Sequence, residues 1–120
     1  MQDYQKLNIY NKAIEYCTKI YKFSTKMPSD EKYGLISQIK RASISIPLNI
    51  SEGCGCKTNK EIAKFISYAY RSANEVLTCL ELSIKLKIIK DIKEIENLKN
   101  EGIELSKMIY SFSKKLDILN

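Results

Sequence analysis

The 120-residue chain contains no histidine, and only two of its twenty cations are arginine. The missing histidine removes the commonest general base, the usual metal ligand and every triad-type hydrolytic site. A conventional hydrolase is therefore not expected, and no other cofactor chemistry is signalled. Eighteen lysines against two arginines suit diffuse phosphate attraction better than bidentate reading of bases. No apolar run reaches the length of a membrane span, and Met1 to Tyr10 lacks the apolar stretch of a signal peptide. The chain reads as cytoplasmic. Its four cysteines, Cys17, Cys54, Cys56 and Cys79, do not have the spacing of a disulfide framework and are expected as reduced thiols. Cys54 and Cys56 stand one residue apart in a short loop, which is not a zinc spacing, so no metal is expected.

What is present is a basic chain of a size that folds as a single domain over residues 1–120. The formal charge is +6, and it is unevenly placed. Residues 1–90 hold fifteen cations against eight anions, whereas residues 91–120 hold five against six. An anion-binding surface is expected in the first three quarters, and the fourth quarter reads as a packing element.

Apolar residues recur at three- and four-residue intervals in four segments, with no long strand-like alternation. The first runs from about Ile9 to Lys26, with Ile9, Ala13, Cys17, Ile20 and Ser24 on one face, widened by Tyr16, Phe23, Ile14 and Tyr21, and Pro28 ends it. The second starts at Ser29 as N-cap, presents Leu35, Ile39, Ala42, Ile46 and Ile50, and stops at Gly53. Pro47 lies inside it, which predicts a kink without a break because the spacing continues in phase. Thr58 with Glu61 forms a capping box for the third, whose apolar face runs from Ile62 to Ile84. Asp91 with Glu94 starts the fourth, with a coiled-coil-like seam through Ile95, Leu98, Gly102, Leu105, Ile109, Phe112, Leu116 and Leu119. Short connections between long amphipathic helices make neighbours antiparallel. The fold class is all-α, an up-down-up-down four-helix bundle.

At 100 degrees per residue, Lys60, Lys64, Ser67, Arg71, Thr78 and Lys85 fall within a band of about 60 degrees on the third helix, opposite its core face. No acidic residue interrupts the band, and Lys57 extends it toward the helix N-terminus, which itself attracts phosphate. The first helix carries a weaker row, Lys12, Lys19, Lys22 and Lys26, interrupted by Glu15. Such stripes fit either a phosphate-binding surface for RNA or DNA or a merely solvated face. Tyr68 and Tyr70 fit either base stacking or packing. A second apolar set, Ile44, Leu48, Tyr68, Cys79, Leu82 and Leu86, would be exposed in a monomer. It points to self-association in a closed dimer or ring. Glu52 and Glu75 lack an accompanying nucleophile or ligand set. Arg71 and Glu75 are expected to pair along the helix, and Asn49, Glu52 and Ser72 to form a polar network beside the core or an interface.

The run Arg41-Ala-Ser-Ile-Ser-Ile-Pro-Leu-Asn-Ile-Ser-Glu-Gly53, preceded by Tyr33-Gly34-Leu35 and followed by Lys60-Glu61, Phe65, Ser72 and Glu75, resembles the four-helix-bundle proteins encoded in ribosomal RNA intervening sequences. That fold family is similar to the accessory variability protein of diversity-generating retroelements. The resemblance covers about residues 9–118. It implies a ring, pentameric in relatives, without catalysis, and in the retroelement branch a basic surface for nucleic acid and a reverse transcriptase partner. Arg41, Ser45, Asn49, Glu52, Gly53, Ser72 and Glu75 match the recurrent polar positions of the pattern. The chain departs from it at Cys56, where a basic residue is usual, and at Arg71, where a glycine is usual. The two function classes that follow are a non-enzymatic oligomer that binds structured RNA or DNA through phosphates, and a protein-interaction or scaffolding module.

Overall fold

Four helices account for most of the chain, and the starts of two of them trace to capping side chains. The computed structural model describes residues 7–119, without the side chains of residues 32, 33 and 117–119. Part of the N-terminal stretch and the Leu119 seam position are to that extent outside the described residues. Helix α1 spans Asn8–Ser24, α2 Ser37–Cys54, α3 Asn59–Lys85 and α4 Ile92–Leu119. Among the described residues there is no strand.

The capping signals are realised as atoms. The Thr58 hydroxyl accepts from the Glu61 backbone N–H at 3.1 Å and meets the Glu61 carboxylate at 3.0 Å, opening α3. Asp91 Oδ1 accepts from the Glu94 backbone N–H at 3.2 Å and opens α4. The α2 helix continues through Pro47 and ends at Cys54, one residue beyond the expected stop, with Gly55 at its C-cap. The hydroxyls of Ser43 and Ser45 donate to the carbonyls of Lys40 and Arg41, so neither addresses the Ser43 carbonyl that Pro47 leaves without its usual donor.

The expected second helix does not begin at Ser29. Ser29–Glu31 is a short 3-10 turn and Lys32–Ile36 a π-type turn, within which Gly34 leaves helical dihedrals at φ −107° and ψ −108°. The end of α3 is also irregular. Lys87 adopts a left-handed φ of 57°, its N–H donates to Ile84 O, and the Ile88 N–H donates to Ser83 O, each at 3.0 Å. Those paired bonds satisfy the last carbonyls of α3 in a Schellman turn, with lysine where glycine is usual.

The helices pack in ring order, α1 beside α2, α2 beside α3, α3 beside α4 and α4 back beside α1, in a body of 45 × 23 × 20 Å. The core takes Ile39, Ile46 and Ile50 from α2, Ile66, Val76 and Leu80 from α3, and Ile95 and Ile109 from α4. In α1 the buried face is centred differently from the expectation. Tyr16 and Phe23 are fully buried, whereas Ile14 and Tyr21 are exposed and Cys17 is half-buried. The α1 face turned to the core is set by where α2 and α4 stand, which shifts it away from the Cys17 side.

Gly102 explains why Tyr16 fits. A Cβ at residue 102 would lie 2.4 Å from the Tyr16 hydroxyl and 2.9 Å from Leu77 Cδ2. In the space left open, the Tyr16 hydroxyl donates to Leu98 O at 2.9 Å, across 82 residues of sequence. Burial raises the Tyr16 pKa well above the ordinary phenol value, with the charge of Glu101 adding to it, so the hydroxyl stays protonated and available as the donor. Gly53 plays a parallel role between α2 and α3, since a Cβ there would stand 3.1 Å from Phe65 Cβ.

Candidate nucleic-acid interface

Among the described residues helix α3 packs between α2 and α4. Lys57, Lys60, Lys64, Arg71 and Lys85 are all exposed along it. Among the described residues none of the five enters an ion pair. The expected Arg71–Glu75 pair does not form. The Arg71 guanidinium instead lies 5.8 Å from the centre of the Tyr68 ring, and Glu75 accepts a hydrogen bond from Gln38 Nε2. Tyr68 is further engaged edge-on by Phe65, with ring centres 5.8 Å apart. Both contacts come from its own helix, and the ring is half-buried.

The α1 row has a different setting. Lys19 donates to Glu101 at 2.8 Å and stands 3.7 Å from Glu15, while Lys26 donates to Glu94 at 2.6 Å. The hydrogen bond from Lys19 to Glu101 leads the effects that raise the Lys19 pKa above the usual lysine value. Lys12 shares a cleft of about 150 Å³ with Glu15, Glu101 and Glu104. The acids of α4 that face α1 thus answer Lys19 and Lys26, and the field that row presents outward is reduced.

The apolar set is redistributed. Cys79, expected on an exposed flank, is 3% exposed and packs in the core, where burial and the neighbouring Glu75 charge raise its thiol pKa. Leu82 and Leu86 remain exposed near the end of α3, the latter at 62%. Ile44 and Leu48 sit apart from them, in a groove of about 190 Å³ between α1 and α2 that Tyr10 and Ile14 also line. Ile14 belongs with this exposed surface. Its position next to the α1 core stripe in sequence hides that role until α2 is placed beside it.

Two of the recurrent polar residues of α2, Ser45 and Asn49, are satisfied within their own helix. Ser45 Oγ donates to Arg41 O at 2.9 Å and Asn49 Nδ2 donates to Ser45 O at 2.8 Å. The Glu52 carbonyl accepts from the Gly55 N–H at 3.1 Å and the Cys56 thiol at 3.6 Å. No hydrogen bond among the described residues joins Asn49, Glu52 and Ser72, so the expected network is absent. Within the described residues no group of three or more acidic, cysteine or histidine side chains is placed to hold a metal. None of their helices is long and apolar enough to cross a membrane.

One feature escaped the sequence reading. Tyr70 of α3 and Tyr110 of α4 meet across the α3–α4 groove, ring centres 5.5 Å apart and planes tilted by 50°. Lys114 stands over Tyr110, its Nζ 5.3 Å from the ring centre. The signal for the α4 half was available: Lys107, Tyr110 and Lys114 are spaced i, i+3, i+7 and share one helix face.

A family model described as 23S rRNA-intervening sequence protein matches residues 5–111. Among solved structures, the chain is similar to a protein of unknown function from the S23 ribosomal protein family of Bacteroides thetaiotaomicron. The two share 25% identity with a TM-score of 0.79, over 88% of this chain and 98% of that one. A comparison with proteins of curated function returns no match.

Proposed function

This chain belongs to the 23S rRNA-intervening sequence protein family, and from that premise we propose that it is a non-enzymatic cytoplasmic oligomer that binds structured RNA or DNA through phosphate contacts. The observation that carries the reading is the outward face of α3, where Lys57, Lys60, Lys64, Arg71 and Lys85 are exposed with no acidic partner among the described residues. Lysine point charges along a helix track a phosphate backbone without selecting bases. Neither the family description nor that of the similar structure names an enzymatic activity.

Self-association rests on a separate observation, the exposed groove of Ile14, Ile44 and Leu48 between α1 and α2. Leu48 is 55% exposed, an unusual setting for a leucine that continues an apolar surface. A closed ring covers such a surface with another copy of the chain. The same groove supports the second reading, a scaffolding module whose partner is another protein, with nucleic acid playing no part.

The test is anisotropy of a labelled hairpin RNA titrated with the protein at several salt concentrations. If five cations contact phosphates, log affinity falls with log salt at a slope of about −4.5. Changing Lys60, Lys64 and Arg71 together to Ala flattens that slope by about 3. Undetectable binding at low salt, or an unchanged slope in the triple variant, overturns the phosphate reading. Light scattering tests the ring, and a 13.8 kDa species at micromolar concentration overturns it.

A further inference from the structure

Helix α4 carries five lysines and five acidic residues, and its sides toward α1 and α3 differ in what they present. Its α1-facing flank carries Glu94 and Glu101, engaged by Lys26 and Lys19, and Glu104 in the cleft beside Lys12. Toward α3 it carries the Tyr110 ring with Lys114 over it, and Lys107 stands between the two sides, lining a second cleft with Glu104 and Asn8 as well. The groove on that side has a volume of about 340 Å³ and is lined by Tyr70, Ser106, Lys107, Tyr110 and Ser111, with no carboxylate. Its walls therefore combine aromatic rings, hydroxyl groups and an ammonium. That is the chemistry of an aromatic heterocycle bearing a phosphate, recognised by stacking, hydrogen bonding and charge together.

Core packing alone does not account for Tyr110. It is 47% exposed, although buried Ile109 precedes it directly and buried Leu105 stands five residues before it on the same helix. A tyrosine that served only the core would turn its ring inward, as Tyr16 does at 0% exposure. The groove and the cationic face share helix α3. Tyr70 stands roughly a quarter turn around α3 from the band of Lys60, Lys64 and Arg71. A strand whose phosphates follow that band can swing one unpaired base sideways onto the tyrosines. Stacked and paired bases inside a duplex cannot reach them.

We propose that the Tyr70–Tyr110 groove is a stacking subsite for an unpaired nucleotide, with Lys107 and Lys114 flanking its phosphates. The proposal rests on the phosphate-binding reading of α3 and adds to it a preference for single strands, loops or junctions over continuous duplex.

The test uses the full-length protein and three labelled probes: a 12-nucleotide oligothymidine, the same strand with abasic sites in place of its bases, and a 12-base-pair duplex. The unmodified protein is expected to bind oligothymidine about 5- to 150-fold more tightly than the abasic strand, since both present the same phosphates. Tyr110→Ala is expected to bring oligothymidine down to the abasic level and leave duplex binding unchanged. Tyr110→Phe is expected to retain the preference, because stacking uses the ring. Equal binding of oligothymidine and abasic strand by the unmodified protein overturns the subsite, and this comparison needs no variant to fold. Equal losses on oligothymidine and abasic strand in Tyr110→Ala overturn it as well. In either case persistent salt-sensitive duplex binding leaves the α3 reading standing, whereas no binding to any probe overturns both.

Discussion

The outer face of α3 and the seam between α1 and α4 both carry a row of cations, yet they differ in what faces them. On α3 the neighbours α2 and α4 lie to either side, and the cations look into solvent. On α1 the row looks across at Glu94 and Glu101, and Lys19 and Lys26 are held at 2.8 and 2.6 Å from those carboxylates. Lysines of the same type thus stand in two settings. Two of the α1 row are tied to the neighbouring helix, and those of the α3 row are exposed on the surface. A charge count, or a helical wheel drawn one helix at a time, treats the two alike.

The seam is broken most strongly through its buried centre. Gly102→Ala drives a methyl into the Tyr16 hydroxyl and Leu77. Overpacking of about 1–3 kcal/mol and loss of a hydrogen bond worth about 1 kcal/mol outweigh a gain of about 1 kcal/mol in helix propensity. The net expected loss is about 2 kcal/mol by urea unfolding, with nucleic-acid affinity unchanged where the variant is folded. An unaltered midpoint would show that Tyr16 finds another place.

Charge reversal tests the contrast between the rows directly. Lys64→Glu is expected to weaken hairpin RNA binding about tenfold, or 1.4 kcal/mol. Lys19→Glu should change it less than about threefold, because that cation is already answered by Glu101 and Glu15. Equal effects in anisotropy titrations would erase the distinction.

Smaller still is the effect of Glu101→Gln. The pair it removes is partly exposed on both sides, so the expected destabilisation is under about 1 kcal/mol in thermal melts. Affinity for RNA should rise slightly as Lys19 is released. Lys87→Gly acts at the end of α3, where φ is 57°. Relief of the left-handed lysine is expected to stabilise the fold by about 0.5–1 kcal/mol in urea, with RNA affinity held within a factor of two. A larger affinity loss would bring Lys87 into the α3 surface.

Most of the architecture is legible along the chain. Thr58 with Glu61 and Asp91 with Glu94 announce two helix starts, and the apolar spacing of α2, α3 and α4 marks their buried faces. These signals are local, since capping and helical periodicity involve residues within a few positions of each other. The break at Gly34 and the turn at Lys87 were not legible, because one follows no strong stop signal and the other uses lysine where glycine is usual. Cys79 lies at the edge of a wide apolar stripe. Its place in the core depends on the side at which α2 arrives.

The candidate surface divides in the same way. The α3 stripe is visible from the sequence because one helix carries it entire, at 100 degrees per residue. Which cations remain without acidic partners is settled between helices, by the register that sets Lys19 opposite Glu101 and Lys26 opposite Glu94. The Tyr70–Tyr110 groove is likewise a product of two helices, and neither ring signals it alone. Periodicity fixes the direction in which a side chain leaves its own axis. What it meets there depends on the azimuth and stagger of a neighbouring helix, and the packing of the whole core sets those.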